Sequence, residues 1–202
     1  MAIRAGVVAV QGDVGEHVRA IERAANRRDR TVDVTPIRTS GQVPAMDVLA
    51  MPGGESTTIS RLLHEEGIAD EIVDHVAEGK PLLATCAGLI VAAHETVEGG
   101  IETLSVIDVT VERNAFGRQT ESFETMLRLD GIEKPVPAVF IRAPVVAEVG
   151  DGVAVLAHHG DDVVAVRDGP VTGLSFHPEL TGETAIHERA LFDPIPPPSG
   201  RG

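Results

Sequence analysis

The feature that most constrains the fold is an alternation, in the first half of the chain, of short apolar runs with amphipathic stretches. The apolar runs have the length and composition of buried strands, which we predict over 3–10, 31–37, 48–51 and 81–85. The other stretches have helical periodicity, which predicts helices over 15–26, 57–66, 69–78 and 87–95. Strands and helices that alternate in this way build a parallel sheet covered by helices.

The second half of the chain changes character, because its apolar runs are separated by turn residues instead of helices. Strands are predicted over 106–112, 122–129, 136–141, 153–157, 163–167 and 171–176. We interpret these strands as antiparallel additions to the same sheet. The predicted fold is therefore a three-layer α/β domain with a mostly parallel central sheet.

The length of 202 residues and the hydrophobic content of 43% allow one sizeable core. We expect a single domain over 1–192 that closes with a short helix around 184–192. The residues 193–202 are rich in proline and glycine, which favours a disordered tail.

The net charge and the cysteine content limit which binding partners and which cellular compartment we expect. Lys and Arg total 17 against 31 Asp and Glu, a formal net charge of −14. Such a surface repels phosphates and anionic lipids, so neither nucleic acid nor a membrane is an expected partner. The longest nearly apolar run, 82–93, is shorter than the roughly 20 residues that a membrane helix needs. A lone cysteine and no recognisable signal segment predict a cytoplasmic protein.

That cysteine, Cys86, lies where the predicted strand 81–85 gives way to a helix beginning at Ala87. Such a turn exposes a side chain above the sheet, and the unpaired amides of the helix N-terminus favour a reactive thiolate. Gly88 supplies the close backbone approach that a sharp turn needs. A lone cysteine is more often buried and inert, so its role as a nucleophile depends on the residues around it.

A histidine and a carboxylate follow the last predicted strand. Pro178 favours extended geometry for the residue before it, and residues two apart in extended chain point to the same side. Glu179 can therefore orient the ring of His177 and leave its other nitrogen free for proton transfer. Alone, this tripeptide also fits a surface turn. We interpret His158 and His159 as ordinary sheet or loop residues, because no metal-ligand spacing accompanies them.

A glycine-rich run, Pro-Gly-Gly-Glu-Ser-Thr over 52–57, follows the predicted strand 48–51. Glycines leave backbone amides free to point at a small anion, so we expect the amides of Gly54 and Ala87 to form an oxyanion hole for a tetrahedral intermediate. A simpler interpretation is that Ser56 or Thr57 caps the following helix and the glycines form its turn. The two interpretations are compatible.

Several blocks, in order along the chain, resemble one family. They are Gln11-Gly12, the run 52–57, Thr85 to Leu89, Val111 to Asn114, Phe116 to Gln119, Phe140 to Pro144 and Ser175 to Thr181. The cysteine, Gly-Gly and His-x-Glu elements are typical of class I glutamine amidotransferases in general. The blocks Arg113–Gln119 and Phe140–Pro144 are similar to those of the glutaminase subunits of pyridoxal 5'-phosphate synthases. Ala84 lies before the strand-to-helix turn at Cys86, where the family usually has glycine. The predicted C-terminal helix is also shorter than that of the family.

The resemblance implies a class I glutamine amidotransferase-like fold and a triad of Cys86, His177 and Glu179. It also implies a glutamine site that uses Gly54, Glu55, Ser56, Arg113, Ile141 and Arg142. Arg113 is suited to pair with the α-carboxylate of free glutamine, although a surface ion pair is an alternative for it. The family resemblance further implies a synthase subunit as protein partner, ammonia as the transferred product, and no cofactor or metal on this chain.

Two alternatives remain at this point. The chain could be the glutaminase of another amidotransferase, such as imidazole glycerol phosphate synthase, against which the blocks 113–119 and 140–144 argue. It could also be a catalytically silent subunit that regulates its synthase. Peptidase-like relatives usually carry a histidine directly after the cysteine, where this chain has Ala87.

Overall fold

The computed structural model describes residues 1–12, 14–113 and 122–193, which form an α/β fold around one large sheet. Its strands are β1 (Ile3–Val8), β2 (Val32–Ile37), β3 (Val48–Met51), β4 (Leu82–Thr85), β5 (Ala93–Thr96), β6 (Ile107–Glu112), β7 (Phe123–Leu127), β8 (Val136–Phe140), β9 (Val145–Val149), β10 (Ala154–His159), β11 (Asp162–Asp168) and β12 (Val171–Leu174). Its helices are α1 (Val14–Arg27), α2 (Ser56–Glu65), α3 (Ala69–Ala77), α4 (Ala87–Ala92) and α5 (Ala185–His187). Short 3-10 turns occur at Val43–Ala45 and Pro178–Leu180, and α5 continues into a π-type turn at Glu188–Phe192.

Among the described residues, ten strands make the large sheet in the order β2-β1-β3-β4-β12-β11-β9-β6-β5, with β10 paired to β11. The first five of these strands pair in parallel, as do β5 and β6. The pairs that join β11 to β9, β10 and β12, and β6 to β9, are antiparallel. The predicted α/β fold, with a mostly parallel sheet and antiparallel additions from the second half of the chain, is confirmed.

Alternate residues of the central strands belong to two separate cores. In β3, Leu49 and Met51 pack in a core shared with α2, α3 and α4, whereas Val48 and Ala50 pack in one shared with α1. Because successive side chains of a strand point to opposite faces, the sheet is covered on both sides. This arrangement produces the three layers predicted from the apolar runs.

The prediction that all the later strands join one sheet is wrong for β7 and β8. These two strands pair only with each other in a separate antiparallel sheet. Their buried residues, including Leu127 and Phe140, pack in the core on the α1 side. The hairpin therefore covers a face of the large sheet instead of extending its edge, a choice that local periodicity does not encode.

Two strands were missing from the prediction. The helix predicted over 87–95 ends at Ala92, because the amides of 104–106 bind the carbonyls of 91–93 and divert the chain into β5. Strand β9 is not predicted from the sequence, because a register shift opposite Val111 breaks the alternation of its buried and exposed residues. Both errors lie away from the predicted catalytic segments.

The loops that carry the predicted site leave one edge of the sheet. Strands β3, β4 and β12 are neighbours and run parallel, so the segments after Met51, Thr85 and Leu174 emerge side by side. In open parallel sheets, ligands bind at this carboxyl edge. Within the residues described, no helix is long and apolar enough to cross a membrane.

Candidate active site

Cys86 occupies a strained turn between β4 and α4. Its backbone angles are φ 50° and ψ −112°, a region that residues other than glycine rarely adopt. The Cys86 amide donates to the Leu174 carbonyl on β12 at 2.8 Å, which holds the turn against the neighbouring strand. Strained backbone of this kind persists where the surrounding structure fixes it, and it clusters at functional sites. The side chain is 7% exposed and directed at the Ile141 carbonyl, 3.8 Å from Sγ.

Two glycines allow the elements around Cys86 to pack closely. A Cβ at Gly88 would lie 2.2 Å from the Met51 carbonyl oxygen, so a larger residue would push α4 away from β3. This contact confirms the close approach predicted for Gly88. A Cβ at Gly53 would lie 2.6 Å from Cε1 of His177 and 3.2 Å from Cβ of Cys86. The glycine-rich loop is therefore in contact with both predicted reactive side chains.

The ring of His177 is oriented by Glu179, which is 3% exposed. The distance from His177 Nδ1 to Glu179 Oε1 is 2.7 Å. Burial alone would lower the pKa of His177, but hydrogen bonds to Cys86 and Glu179, together with their charges, outweigh it and raise the pKa to about 10. Burial alone would raise the pKa of Glu179, yet hydrogen bonds from His17 and His177 hold it well below its usual range. The pair therefore favours an imidazolium and a carboxylate.

Cys86, His177 and Glu179 lie on one wall of a cleft. On the other wall, Glu55 caps α2. Its carboxylate accepts hydrogen bonds from the amides of Thr58 at 2.9 Å and Thr57 at 3.4 Å. These bonds, the one from Thr58 first, lower the pKa of the exposed Glu55 carboxyl. The interpretation that Ser56 or Thr57 supplies the cap is wrong, because the carboxylate of Glu55 reaches the first amides of the helix. The backbone amide of Glu55 itself donates to Gln11 Oε1 at 2.8 Å.

Arg113 and Arg142 lie at the mouth of the cleft. The Arg113 guanidinium pairs with Glu98, with Nε 3.4 Å from Oε2, and its backbone amide donates to the same carboxylate at 3.0 Å. The surface ion pair considered as an alternative for Arg113 is therefore present. Arg142 has a φ of 44° in the turn after β8, a second strained position beside the cleft.

Every residue predicted for the site lines a single cleft of about 550 Å³. Its lining includes Gly54, Glu55, Ser56, Cys86, Ala87, Arg113, Ile141, Arg142, His177 and Glu179. Gln11, Gly53, Ile90 and Leu180 also line it, although they are not among the site residues predicted from the sequence. For Gln11 a signal existed, since it is a polar residue soon after β1 at the same edge of the sheet. Among the described residues, no group of three or more His, Cys, Asp or Glu could hold a metal ion.

Comparison with known proteins decides the family. The model of the SNO glutamine amidotransferase family matches residues 7–192. This chain belongs to that family. It is 62% identical, over 96% of its length and 99% of the relative's, to the pyridoxal 5'-phosphate synthase subunit PdxT of Haloarcula marismortui. It is 46% identical to the protein of the same name from Thermococcus onnurineus, over 94% of this chain and 98% of that one.

A solved structure described as a glutamine amidotransferase has the same fold as this SNO-family chain. The two share a TM-score of 0.80 and 45% identity over 91% of this chain and 94% of the other. The resemblance inferred from the sequence blocks is therefore confirmed at the level of the family. Residues 114–119 of the block that made it specific lie outside the described residues.

Proposed function

We propose that this chain hydrolyses L-glutamine to L-glutamate and ammonia with Cys86 as nucleophile. The observation that carries the proposal is the 2.7 Å contact between His177 Nδ1 and Glu179 Oε1 beside a cysteine held in a strained elbow. An imidazolium next to a cysteine sulfur favours the thiolate, which is the reactive form. Membership of a glutamine amidotransferase family supports glutamine as the substrate.

The chemistry follows from this arrangement. The Cys86 thiolate attacks the carboxamide carbon, and the amides of Gly54 and Ala87 stabilise the oxyanion. The Nε2 proton of His177 passes to the leaving nitrogen, so that ammonia departs and a γ-glutamyl thioester remains. The neutral imidazole then removes a proton from water, which attacks the thioester and releases glutamate. The sulfur leaves as a thiolate, and the imidazolium is restored.

The rim of the cleft would bind the amino-acid end of glutamine. We assign the substrate's α-carboxylate to Arg113, which would exchange Glu98 for the ligand. Backbone groups of Ile141 and Arg142, together with Gly54, Glu55 and Ser56, would complete the pocket. These assignments make free glutamine a better substrate than a peptide-bound glutamine, whose carboxylate is blocked.

The ammonia would pass to a separate synthase subunit that makes pyridoxal 5'-phosphate. The relatives above carry the name of such a synthase's subunit, which supports a hetero-oligomeric complex as the working form. We assign the glutaminase domain to 1–192 and a disordered tail to 193–202, and we expect no cofactor on this chain. A thiolate nucleophile fits a reducing compartment, which supports the cytoplasm as the location.

The test is glutamine hydrolysis by the chain alone and with the synthase subunit of the same organism. We expect glutamate and ammonia in equal amounts with the synthase present, and pyridoxal 5'-phosphate when its sugar phosphate substrates are added. No turnover in either condition, from a chain that binds the synthase, would instead support a silent regulatory subunit. Turnover that only an imidazole glycerol phosphate synthase partner elicits would assign the chain to that pathway.

A further inference from the structure

A second histidine, His17 on α1, contacts the carboxylate of the triad. Its side chain is 0% exposed, and its Nε2 lies 3.3 Å from Glu179 Oε1. The same nitrogen is 3.3 Å from Oγ1 of Thr85, the buried residue that directly precedes Cys86. His17 thus joins the carboxylate to the strand that carries the proposed nucleophile. A buried imidazole without partners would be costly, so these contacts set its orientation.

The position of the ring proton follows from the partners. His17 Nδ1 has no hydrogen-bond partner among the described residues, and neither has Glu179 Oε2. A proton on Nδ1 alone would leave a buried donor unpaired and direct the Nε2 lone pair at a carboxylate oxygen. A proton on Nε2 removes both penalties. Protonated at Nε2, His17 presents a second donor 3.3 Å from the Glu179 oxygen that His177 Nδ1 contacts at 2.7 Å.

We propose that His17 is a positioning residue of the glutaminase reaction, whose Nε2–H holds Glu179 ionised and aligned beneath His177. The inference rests on the proposed function, because it assigns His17 a task within that triad. A buried carboxylate with one donor is more easily protonated and freer to rotate than one with two. Without His17, Glu179 would lose its charge at a higher pH, and His177 would lose the partner that stabilises its imidazolium.

The charged and titratable groups around His17 do not replace this donor. His187, on α5, packs its ring 6.2 Å from that of His17 and is 0% exposed. Burial lowers the pKa of His187 to about 3, so this ring is neutral, and within the described part of the chain neither of its nitrogens has a hydrogen-bond partner. Arg23, one helical turn and a half along α1, donates through Nη2 to the Thr181 carbonyl at 3.2 Å. In the described part of the chain, two histidines contact the Glu179 carboxylate, His177 and His17.

The experiment compares His17→Leu, which removes the donor, with His17→Gln, whose amide nitrogen reaches about as far as Nε2. Glutamine hydrolysis is measured with the synthase present across pH. For His17→Leu we expect kcat to fall about ten- to a hundredfold, as for other residues that orient a histidine's partner, with KM changed less than about twofold. The acid limb of the kcat profile should move to higher pH, and His17→Gln should restore most of the rate and the wild-type limb.

The matched control is His187→Leu, which makes the same change in an equally buried histidine that does not contact Glu179. It should destabilise the fold as a packing defect does but leave kcat and the acid limb at wild-type values. If His17→Leu fails to fold, the comparison becomes His17→Asn against His17→Gln. The asparagine amide is too short to reach Glu179, so His17→Asn should behave as a loss of the donor.

A second readout needs neither glutamine nor the synthase. Cys86 is the chain's single cysteine, so the rate of alkylation by iodoacetamide reports on its thiolate alone. The pH below which this rate falls should be higher in His17→Leu than in wild type or His17→Gln. A wild-type chain that alkylates but never hydrolyses glutamine would overturn the proposed function, whereas a shifted alkylation profile in His17→Leu would still show that His17 holds Glu179 ionised. Active, folded His17→Leu or His17→Asn with wild-type kcat and wild-type pH profiles would overturn the assignment of His17.

Discussion

The two walls of the cleft differ in how far the fold has arranged them for chemistry. On one wall, Cys86, His177 and Glu179 are packed against buried strands, and the histidine and carboxylate are already paired at 2.7 Å. On the other wall and at the mouth of the cleft, the polar groups have partners outside the proposed triad, since Glu55 caps α2 and Arg113 pairs with Glu98. The proposed reaction centre is therefore already arranged in this chain, whereas the proposed binding of glutamine would require Arg113 to exchange its partner.

The sharpest test of the buried wall is Cys86→Ala. Because the proposed nucleophile is the chain's single cysteine, we expect glutamine hydrolysis with synthase to fall on the order of 10⁶-fold, to background. The fold and the binding of the synthase should survive, since a small side chain fits this turn. Ammonia release is the measurement, with calorimetric binding of the synthase as the control. Residual turnover near wild type would mean that the reaction centre lies elsewhere.

Glu179→Gln tests whether the orienting carboxylate acts on turnover alone. The imidazolium loses its charged partner while the contacts of the rim survive, so kcat should fall on the order of 10²- to 10⁴-fold with KM nearly constant. Steady-state kinetics at saturating synthase are the measurement. The same substitution on the other wall of the cleft, Glu55→Gln, is the matched control and should leave kcat within a few-fold of wild type. A rise in KM without loss of kcat for Glu179→Gln would exchange the roles of the two carboxylates.

Glu55→Ala tests the role of Glu55, on the other wall of the cleft, as a helix cap and as part of the proposed glutamine pocket. Loss of the cap exposes the amides of Thr57 and Thr58, so the free energy of unfolding should fall by about 1 kcal/mol. Disturbance of the neighbouring Gly54 should raise KM several-fold, with a smaller loss in kcat. Denaturant unfolding and kinetics together check this, with Glu66→Ala at the far end of α2 as the control for removing a charge. An unchanged KM would remove Glu55 from the glutamine pocket.

The raised pKa of His177 predicts a dependence of stability on pH. Its folded pKa of about 10 exceeds the ordinary histidine value of 6.5, so the folded state holds the proton more tightly than the unfolded chain does. This stabilisation is complete below pH 6.5 and is lost as the pH rises through about 10. The difference in free energy of unfolding between wild type and His177→Asn should therefore shrink across that interval. His158→Asn, which removes a histidine at an exposed position, is the control substitution.

The smallest expected effect separates surface charge from the buried pair. A net charge of −14 implies repulsion that salt screens, so the melting temperature should rise by a few degrees from low to molar KCl. The buried contact between His177 and Glu179 is shielded from salt. The stability difference between wild type and Glu179→Gln should therefore stay constant over the same range. A melting temperature that is flat with salt would show that the acidic surface carries no such repulsion.

The family resemblance, the α/β class and the segments that carry the proposed chemistry could all be predicted from the sequence. Apolar runs and periodicity are local signals, so they located β3, β4 and β12 and the residues that follow them. They also placed Cys86 at a strand-to-helix junction and His177 two residues before Glu179. These features depend on interactions among residues that are close together in the sequence, so the sequence alone predicts them.

Which distant residues come into contact depends on the tertiary structure. The order of strands brings the segments after Met51, Thr85 and Leu174 to one edge, and it turns β7 and β8 into a cover for the sheet instead of an extension. Nothing near position 17 in the sequence predicts that His17 reaches Glu179, because a buried histidine on an amphipathic helix is common and its partner is far away along the chain. Such contacts depend on how helices pack against the sheet, where many residues contribute small free energies together.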